Sequence, residues 1–117
     1  MAVRNGDIQG HILEVRVLCG NRLKETNKIT RQSPYVKLDY GGKERRTATR
    51  KAGSVNPSFQ DKFEFVLIKR IQKIKVTAYN ERTLSKDVLI GNGKVDLKEV
   101  LLNGYDECTC MLYNNTE

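Results

Sequence analysis

Apolar residues recur at every second position along most of the chain, which is the period of a β-strand with one buried face. Residues 11–18 (HILEVRVL) show this alternation, and residues 35–40 (YVKLDY) and 73–79 (KIKVTAY) repeat it. Four further stretches have strand-like composition: residues 43–50, 59–68, 88–97 and 107–113. Seven strands separated by turn residues predict an antiparallel β-sandwich or barrel.

Glycine and proline mark the breaks between these strands. Gly41-Gly42 predicts a hairpin turn, with residues 43–50 (KERRTATR) as the returning strand. Pro57 lacks the backbone N–H that a strand ladder needs, so it separates that strand from the next. Residues 96–102 (DLKEVLL) predict one short helix, with Asp96 as its cap and Gly104 just beyond its end.

The composition is that of one globular domain of modest size. The chain has 117 residues, of which 38% are hydrophobic, and no apolar run approaches the ~20 residues of a transmembrane helix. Its first residues lack the apolar core of a signal peptide. Three cysteines form no disulfide framework. We therefore expect a soluble, intracellular protein.

Residues with catalytic chemistry do not form a recognisable pattern. The chain has one histidine, His11, and Cys108 and Cys110 offer only two thiols where a zinc site needs more ligands. Nucleophile-elbow and phosphate-loop motifs are missing from the sequence. These observations favour a binding module over an enzyme and predict no cofactor.

Three short motifs in a fixed order resemble those of the C2 domain, the calcium- and phospholipid-binding module of protein kinase C and synaptotagmin. They are residues 33–37 (SPYVK), 56–59 (NPSF) and 89–91 (LIG). The resemblance covers residues 11–113, with residues 1–10 as an N-terminal segment and residues 114–117 as a C-terminal tail.

The resemblance implies an all-β fold, an eight-stranded antiparallel Greek-key β-sandwich with three loops at one tip. By resemblance those loops cover residues 20–33, 52–58 and 80–88. Seven strands are visible in the pattern, so the eighth is expected from residues 1–10 or from beyond the end of the chain. The topology variant stays open.

Five aspartates of the first and third loops bind calcium in this family. By resemblance, the positions that match them hold no acidic residue here: they are Asn27, Ser33, Asn80, Arg82 and Val88. Because calcium needs 6–8 oxygen ligands, several of them carboxylates, we expect no calcium binding at signalling concentrations. Shifting the alignment by one residue would place only Glu81 or Asp87 at a ligand position. The alternative is therefore a weak residual calcium site.

Positive charge is concentrated in the body of the chain. The net charge is +7, with 20 basic and 9 acidic residues in positions 1–95 and an excess of acidic residues after them. Such a body favours an anionic partner. In C2 domains a concave basic face binds phosphoinositide headgroups, and by resemblance its residues here include Tyr35, Lys37 and Arg46. Basic residues nearby complete the predicted lipid-binding set: Lys43, Arg45, Arg50, Lys51, Lys73 and Lys75.

Three classes of partner are compatible with this charge. We expect a calcium-independent module that binds acidic phospholipid or phosphoinositide membranes, so that the protein is cytoplasmic and peripheral to a membrane. The alternative is a C2-like protein-interaction module that docks an acidic partner. Nucleic acid is disfavoured, because the basic strands lack the interleaved aromatic residues that stack on bases.

Overall fold

Two four-stranded antiparallel sheets make up the protein, in agreement with the predicted all-β sandwich. A computed structural model describes residues 1–9, 12–26 and 31–114. The elements are β1 (Ala2–Gln9), β2 (Ile12–Cys19), β3 (Pro34–Tyr40), β4 (Lys43–Arg46), β5 (Ser58–Val66), β6 (Lys73–Asn80), β7 (Val88–Asp96), α1 (Lys98–Asn103) and β8 (Glu107–Thr109). The first sheet has the order β5-β2-β1-β8, and the second has the order β4-β3-β6-β7.

The eighth strand comes from the N-terminal residues. β1 lies between β2 and β8 and pairs with both in antiparallel fashion. His11, which precedes β2, lies outside the described residues.

Alternating side chains of both sheets meet in one core. Leu13, Val15 and Val17 of β2 are fully buried, and Val36 and Leu38 of β3 face them from the second sheet. Burying each such side chain contributes roughly 1.5–3 kcal/mol. The alternation in the sequence therefore identified the buried faces correctly.

The return strand of the hairpin is shorter than predicted, because β4 ends at Arg46 instead of continuing to residue 50. The next residue, Thr47, is buried, and its hydroxyl oxygen accepts a hydrogen bond of 3.0 Å from the Val36 N–H. The Ala48 N–H donates to the Asp61 carboxylate in β5. After Arg46 the regular ladder ends, but Thr47 and Arg50 still donate backbone hydrogen bonds to β3, at the Val36 and Pro34 carbonyls, while Ala48 contacts the first sheet.

The stretch 107–113, predicted as a single strand, divides between the two sheets. β8 pairs with β1, whereas Tyr113 bridges to Asn92 of β7 with hydrogen bonds of 2.8 and 2.9 Å. Cys110 is buried between these two pairings. We refer to residues 110–113 as the crossing segment.

Glycine lets the crossing segment approach β7 closely. A Cβ atom added at Gly93 would lie 2.2 Å from the Met111 carbonyl oxygen, far inside van der Waals contact. At Gly91 the nearest atom would be the Cβ of Leu112, at 3.1 Å. The alternating glycines of β7 therefore provide the space into which the segment packs.

The short helix covers residues 98–103 rather than 96–102, and its N-cap position is Leu97. Asp96 still acts at this end, because its carboxylate accepts a hydrogen bond of 2.8 Å from the Lys98 N–H. Gly104 ends the helix as predicted, with φ of 79° and its N–H bonded to the Val100 carbonyl.

Candidate functional site

The outer face of the second sheet carries the main cluster of cations. Lys37 of β3 pairs with Arg46 of β4. On the other side of β3, Asp39 pairs with Lys75 of β6. Lys73 shares the parity of Lys75, and both are exposed. Residues Lys37, Arg46, Lys73 and Lys75 from the predicted set thus project from one face, which we call the basic face.

Two tyrosines lie among these cations. The Arg46 guanidinium carbon is 3.6 Å from the centre of the Tyr35 ring, and the Tyr35 and Tyr79 rings stack at 5.5 Å. The Lys37 ammonium lies 5.6 Å from the Tyr79 ring centre. Cation–π attraction of this kind contributes about 0.5–1 kcal/mol at exposed sites. The two rings therefore favour positions of the Arg46 and Lys37 charges above them.

Tyr35 itself is only 5% exposed, so it supports the basic face from beneath. Its hydroxyl donates a hydrogen bond of 2.6 Å to the Asp87 carboxylate of the third loop. Burial, followed by the hydrogen bond to Asp87, raises the pKa of Tyr35 to about 12. The same bond lowers the pKa of Asp87, and the bond from the Arg82 N–H lowers it further.

Arg46 is partly engaged within the protein. Its guanidinium donates to the Thr49 hydroxyl at 2.9 Å and lies 3.6 Å from the Glu81 carboxylate. The Thr49 hydroxyl in turn donates to Glu81. About half of the Arg46 side chain remains exposed. Exposed ion pairs contribute only 0–1 kcal/mol, so this pairing does not prevent Arg46 from binding an external anion.

Lys43 and Arg45 do not join the basic face. The register pairs Tyr40 with Lys43 and Leu38 with Arg45, so both cations share the parity of buried β3 residues. The Arg45 guanidinium carbon lies 5.6 Å from the Phe65 ring of β5, and its Nη1 donates to a backbone carbonyl of β4. These two residues border the sandwich at its β4 edge.

Arg50 also lies apart from the basic face, because it joins the two sheets. Its guanidinium donates to the carbonyls of Ser58 and Phe59 and to the Asp61 carboxylate at 2.8 Å. This pattern is that of a structural arginine. Lys51 is exposed in the turn that follows, at the loop end of the sandwich.

Acidic residues dilute the charge of the basic face. Glu44 of β4 and Asp39 of β3 lie opposite each other and point to the same side as Lys37. The Glu44 carboxylate is 3.9 Å from the Lys37 ammonium. On β7, Asp96 lies opposite Lys73, whereas Lys94 lies opposite Lys75. Lys94 was absent from the predicted set, although its alternation within residues 88–97 would have placed it on this face. With Lys94 the face presents five cations against these three carboxylates and a fourth, Glu81, which lies 3.6 Å from Arg46.

The loop tip is held together by three polar side chains. The Asn80 carbonyl oxygen accepts from the Ser33 N–H at 2.8 Å, and its amide donates to Thr26 at 2.9 Å. Gln32 accepts from Thr26 and donates to the Ser54 carbonyl at 3.0 Å. We call Gln32, Ser33 and Asn80 the tip network, which connects all three loops. Gln32 gave no signal in the sequence, since its burial depends on tertiary contacts.

The positions that match calcium ligands have other roles here. Ser33 and Asn80 belong to the tip network, and the Ser33 hydroxyl oxygen also accepts from the Ala52 N–H. Val88 begins β7 opposite Asn80, and the Arg82 N–H donates to Asp87. The fifth position, Asn27, lies outside the described residues.

Carboxylates near the third loop are already bonded within the protein. Asp87 accepts from Tyr35 and from the Arg82 backbone, and Glu81 accepts from Thr49. In the part of the chain that the structure describes, no three His, Cys, Asp or Glu side chains gather closely enough to hold a metal ion. Across residues 1–9, 12–26 and 31–114, no helix has the length and apolar character needed to cross a bilayer.

Comparison with known proteins gives the same architecture and a family. A family model for the C2 domain matches residues 11–111. The chain is 33% identical over 106 residues to the 16 kDa phloem protein 1 of Arabidopsis thaliana, covering 86% of this chain and 68% of that protein. It is 24% identical over 110 residues to the Elicitor-responsive protein 1 of Oryza sativa subsp. japonica, covering 90% of this chain and 67% of that protein.

A solved structure shares the fold at lower sequence identity. The RIM C2A domain from Drosophila superposes with a TM-score of 0.75 at 20% identity, covering 94% of this chain and 95% of that domain. The family match spans both sheets, from β2 to the crossing segment. This chain belongs to the C2 domain family.

Proposed function

We propose that this C2 domain binds anionic phospholipid surfaces through its basic face without calcium, as a peripheral membrane protein of the cytoplasm. The observation that carries the proposal is that five cations on the four strands of the second sheet point to the same side: Lys37, Arg46, Lys73, Lys75 and Lys94. No enzymatic step is part of the proposal.

The charge of this face supplies a moderate affinity. Each cation near an anionic leaflet contributes about 1 kcal/mol, so five give about 5 kcal/mol, equivalent to a sub-millimolar dissociation constant. Four carboxylates at the face, those of Asp39, Glu44, Glu81 and Asp96, reduce this figure. Arg46 can donate to a phosphate in a bidentate way, and the Tyr35 ring beneath it holds the guanidinium in place.

The residues of the tip support calcium independence. A calcium ion needs several carboxylates within 2.3–2.6 Å. Asn80 already uses both its amide groups between the first and third loops, and Asp87 is hydrogen-bonded to Tyr35. Binding a calcium ion would therefore require these internal hydrogen bonds to break while adding little anionic charge.

Liposome sedimentation tests the proposal. Vesicles of phosphatidylcholine with phosphatidylserine or a phosphoinositide should sediment the wild-type protein equally in calcium and in chelator. Binding should fall as salt rises, because surface charges are screened over ~8–10 Å. The variant Lys73→Glu/Lys75→Glu, which inverts two charges of the basic face, should lose most of the binding.

A control variant with the same change in net charge separates the face from the overall charge. Lys43→Glu/Lys51→Glu inverts two exposed cations that lie off the basic face. If this control loses as much binding as Lys73→Glu/Lys75→Glu, the localised site is wrong. If the wild type ignores every anionic vesicle, the membrane proposal fails and an acidic protein partner becomes the better hypothesis. A calcium-dependent rise in Tm would contradict calcium independence.

A further inference from the structure

Two large apolar side chains project beside the β7 edge of the basic face. Met111 is 63% exposed and Tyr113 is 58% exposed. Tyr113 pairs with Asn92, whose side chain points outward, while Leu112 between them is partly buried against the core. Met111 and Tyr113 therefore point to the same side as the lysines of β6 and β7.

Lysines border these apolar side chains. Lys75 and Lys94 lie directly opposite each other on neighbouring strands, an arrangement of like charges that weakens a sheet. Together with Met111 and Tyr113 they line a shallow groove of about 590 Å³. A pair of like charges beside exposed apolar groups is unfavourable in water, and an anionic amphiphile would relieve both defects.

We propose that Lys75, Lys94, Met111 and Tyr113 form an amphipathic edge that enters the interface of an anionic bilayer. This inference rests on the proposed function and adds which part of the domain penetrates the membrane. The lysines bind lipid phosphates, while the methionine and the tyrosine ring enter the headgroup region. Tyrosine favours this depth because its ring is apolar and its hydroxyl stays hydrated.

The form of the edge favours a lipid surface over a peptide. A peptide strand binds a sheet edge through unpaired backbone groups. At Asn92, however, both the N–H and the C=O are already hydrogen-bonded to Tyr113. The apolar side chains also project outward by more than half of their area instead of lining a closed pocket. A bilayer adapts to such projections, and its anionic headgroups match the charge of Lys75 and Lys94.

Membrane partitioning of two serine variants tests the inference. Met111→Ser/Tyr113→Ser removes the apolar part of the edge without changing charge, and Leu84→Ser is its counterpart at the loop tip, where Leu84 is 97% exposed. We expect the double variant to partition at least tenfold more weakly onto anionic vesicles, with an unchanged thermal midpoint. The Leu84 variant should partition within about threefold of wild type.

A fluorescent probe reports depth independently of affinity. The sequence contains no tryptophan, so Tyr113→Trp introduces a single indole, and Leu84→Trp is the matched probe at the tip. Lipids brominated near the headgroup should quench the indole at position 113 more strongly than the one at position 84.

Each outcome decides between the two claims. If Met111→Ser/Tyr113→Ser binds anionic vesicles as strongly as wild type, or if quenching is stronger at position 84, the amphipathic edge is wrong and the proposed function stands. Absence of wild-type binding to any anionic vesicle overturns both.

Discussion

Replacing Gly93 by alanine should destabilise the protein because of one close approach. The added Cβ would lie 2.2 Å from the Met111 carbonyl oxygen and 3.0 Å from the Cys110 sulfur. Real Cβ contacts are essentially never shorter than 3.0 Å, so the crossing segment has to retreat by at least 0.8 Å. Backbone atoms of a paired segment cannot move that far without losing hydrogen bonds.

Three amide hydrogen bonds set the size of the effect, and a bond from the Met1 amine to the Cys110 carbonyl also holds this segment. Cys110 donates to the Met1 carbonyl at 2.7 Å, and Asn92 and Tyr113 exchange two bonds of 2.9 and 2.8 Å. Each contributes about 1 kcal/mol, so losing all three costs about 3 kcal/mol. Alanine recovers about 0.4–1 kcal/mol by restricting the unfolded chain. The expected net loss is about 2 kcal/mol.

Urea denaturation measures this loss, with Gly91→Ala as the control. Gly91 is also in β7 and faces the same segment, but its nearest contact would be 3.1 Å, which small adjustments relieve. With a slope of ~1–3 kcal/mol per M, Gly93→Ala should lower the urea midpoint by roughly 1 M and Gly91→Ala by much less. Equal midpoints for the two variants would refute the close-approach argument.

Three further predictions concern the tip and the link between the sheets. Asn80→Ala should cost about 1–3 kcal/mol, because it leaves the Ser33 N–H without its acceptor; urea unfolding that matches wild type would contradict this. Tyr35 should ionise near pH 12 rather than 10.0, so its stabilisation is complete below pH 10 and is lost as the pH rises to 12. The absorbance change at about 295 nm in wild type minus that in Tyr35→Phe isolates the ionisation of Tyr35. If this difference titrates near pH 10, the raised pKa is wrong. Arg50→Ala should cost about 2 kcal/mol through its bonds to β5, whereas Lys51→Ala should stay within about 0.5 kcal/mol; similar Tm values for both would show that Arg50 is not structural.

The alternation of apolar and polar residues predicted most of the fold and part of the candidate site. The period of two placed Lys37, Lys73 and Lys75 on outward positions, and the structure aligns their strands side by side. The same rule would have excluded Lys43 and Arg45. A two-residue turn at Gly41-Gly42 pairs Tyr40 with Lys43, which gives both cations the parity of buried residues.

Other contacts lay beyond what sequence pattern could show. Arg50 resembles its basic neighbours in sequence, yet its acceptors lie in β5, 8 to 11 residues further along the chain. Gln32 is polar and preceded by Arg31, which suggests an exposed loop, but it is completely buried. Burial of polar side chains depends on which loops meet in three dimensions. The division of residues 107–113 between two sheets likewise depends on the space left by Gly93.

The tip network has a consequence for how the module would be controlled. Amide and hydroxyl groups cross-link the three loops here, and these groups neither titrate near neutrality nor dissociate as a bound ion would. Protease resistance of the loops should therefore be indifferent to the ionic composition of the medium. Under the proposed function, a module with these cross-links binds without an ionic trigger, so the lipid composition of the target membrane sets the timing of its recruitment.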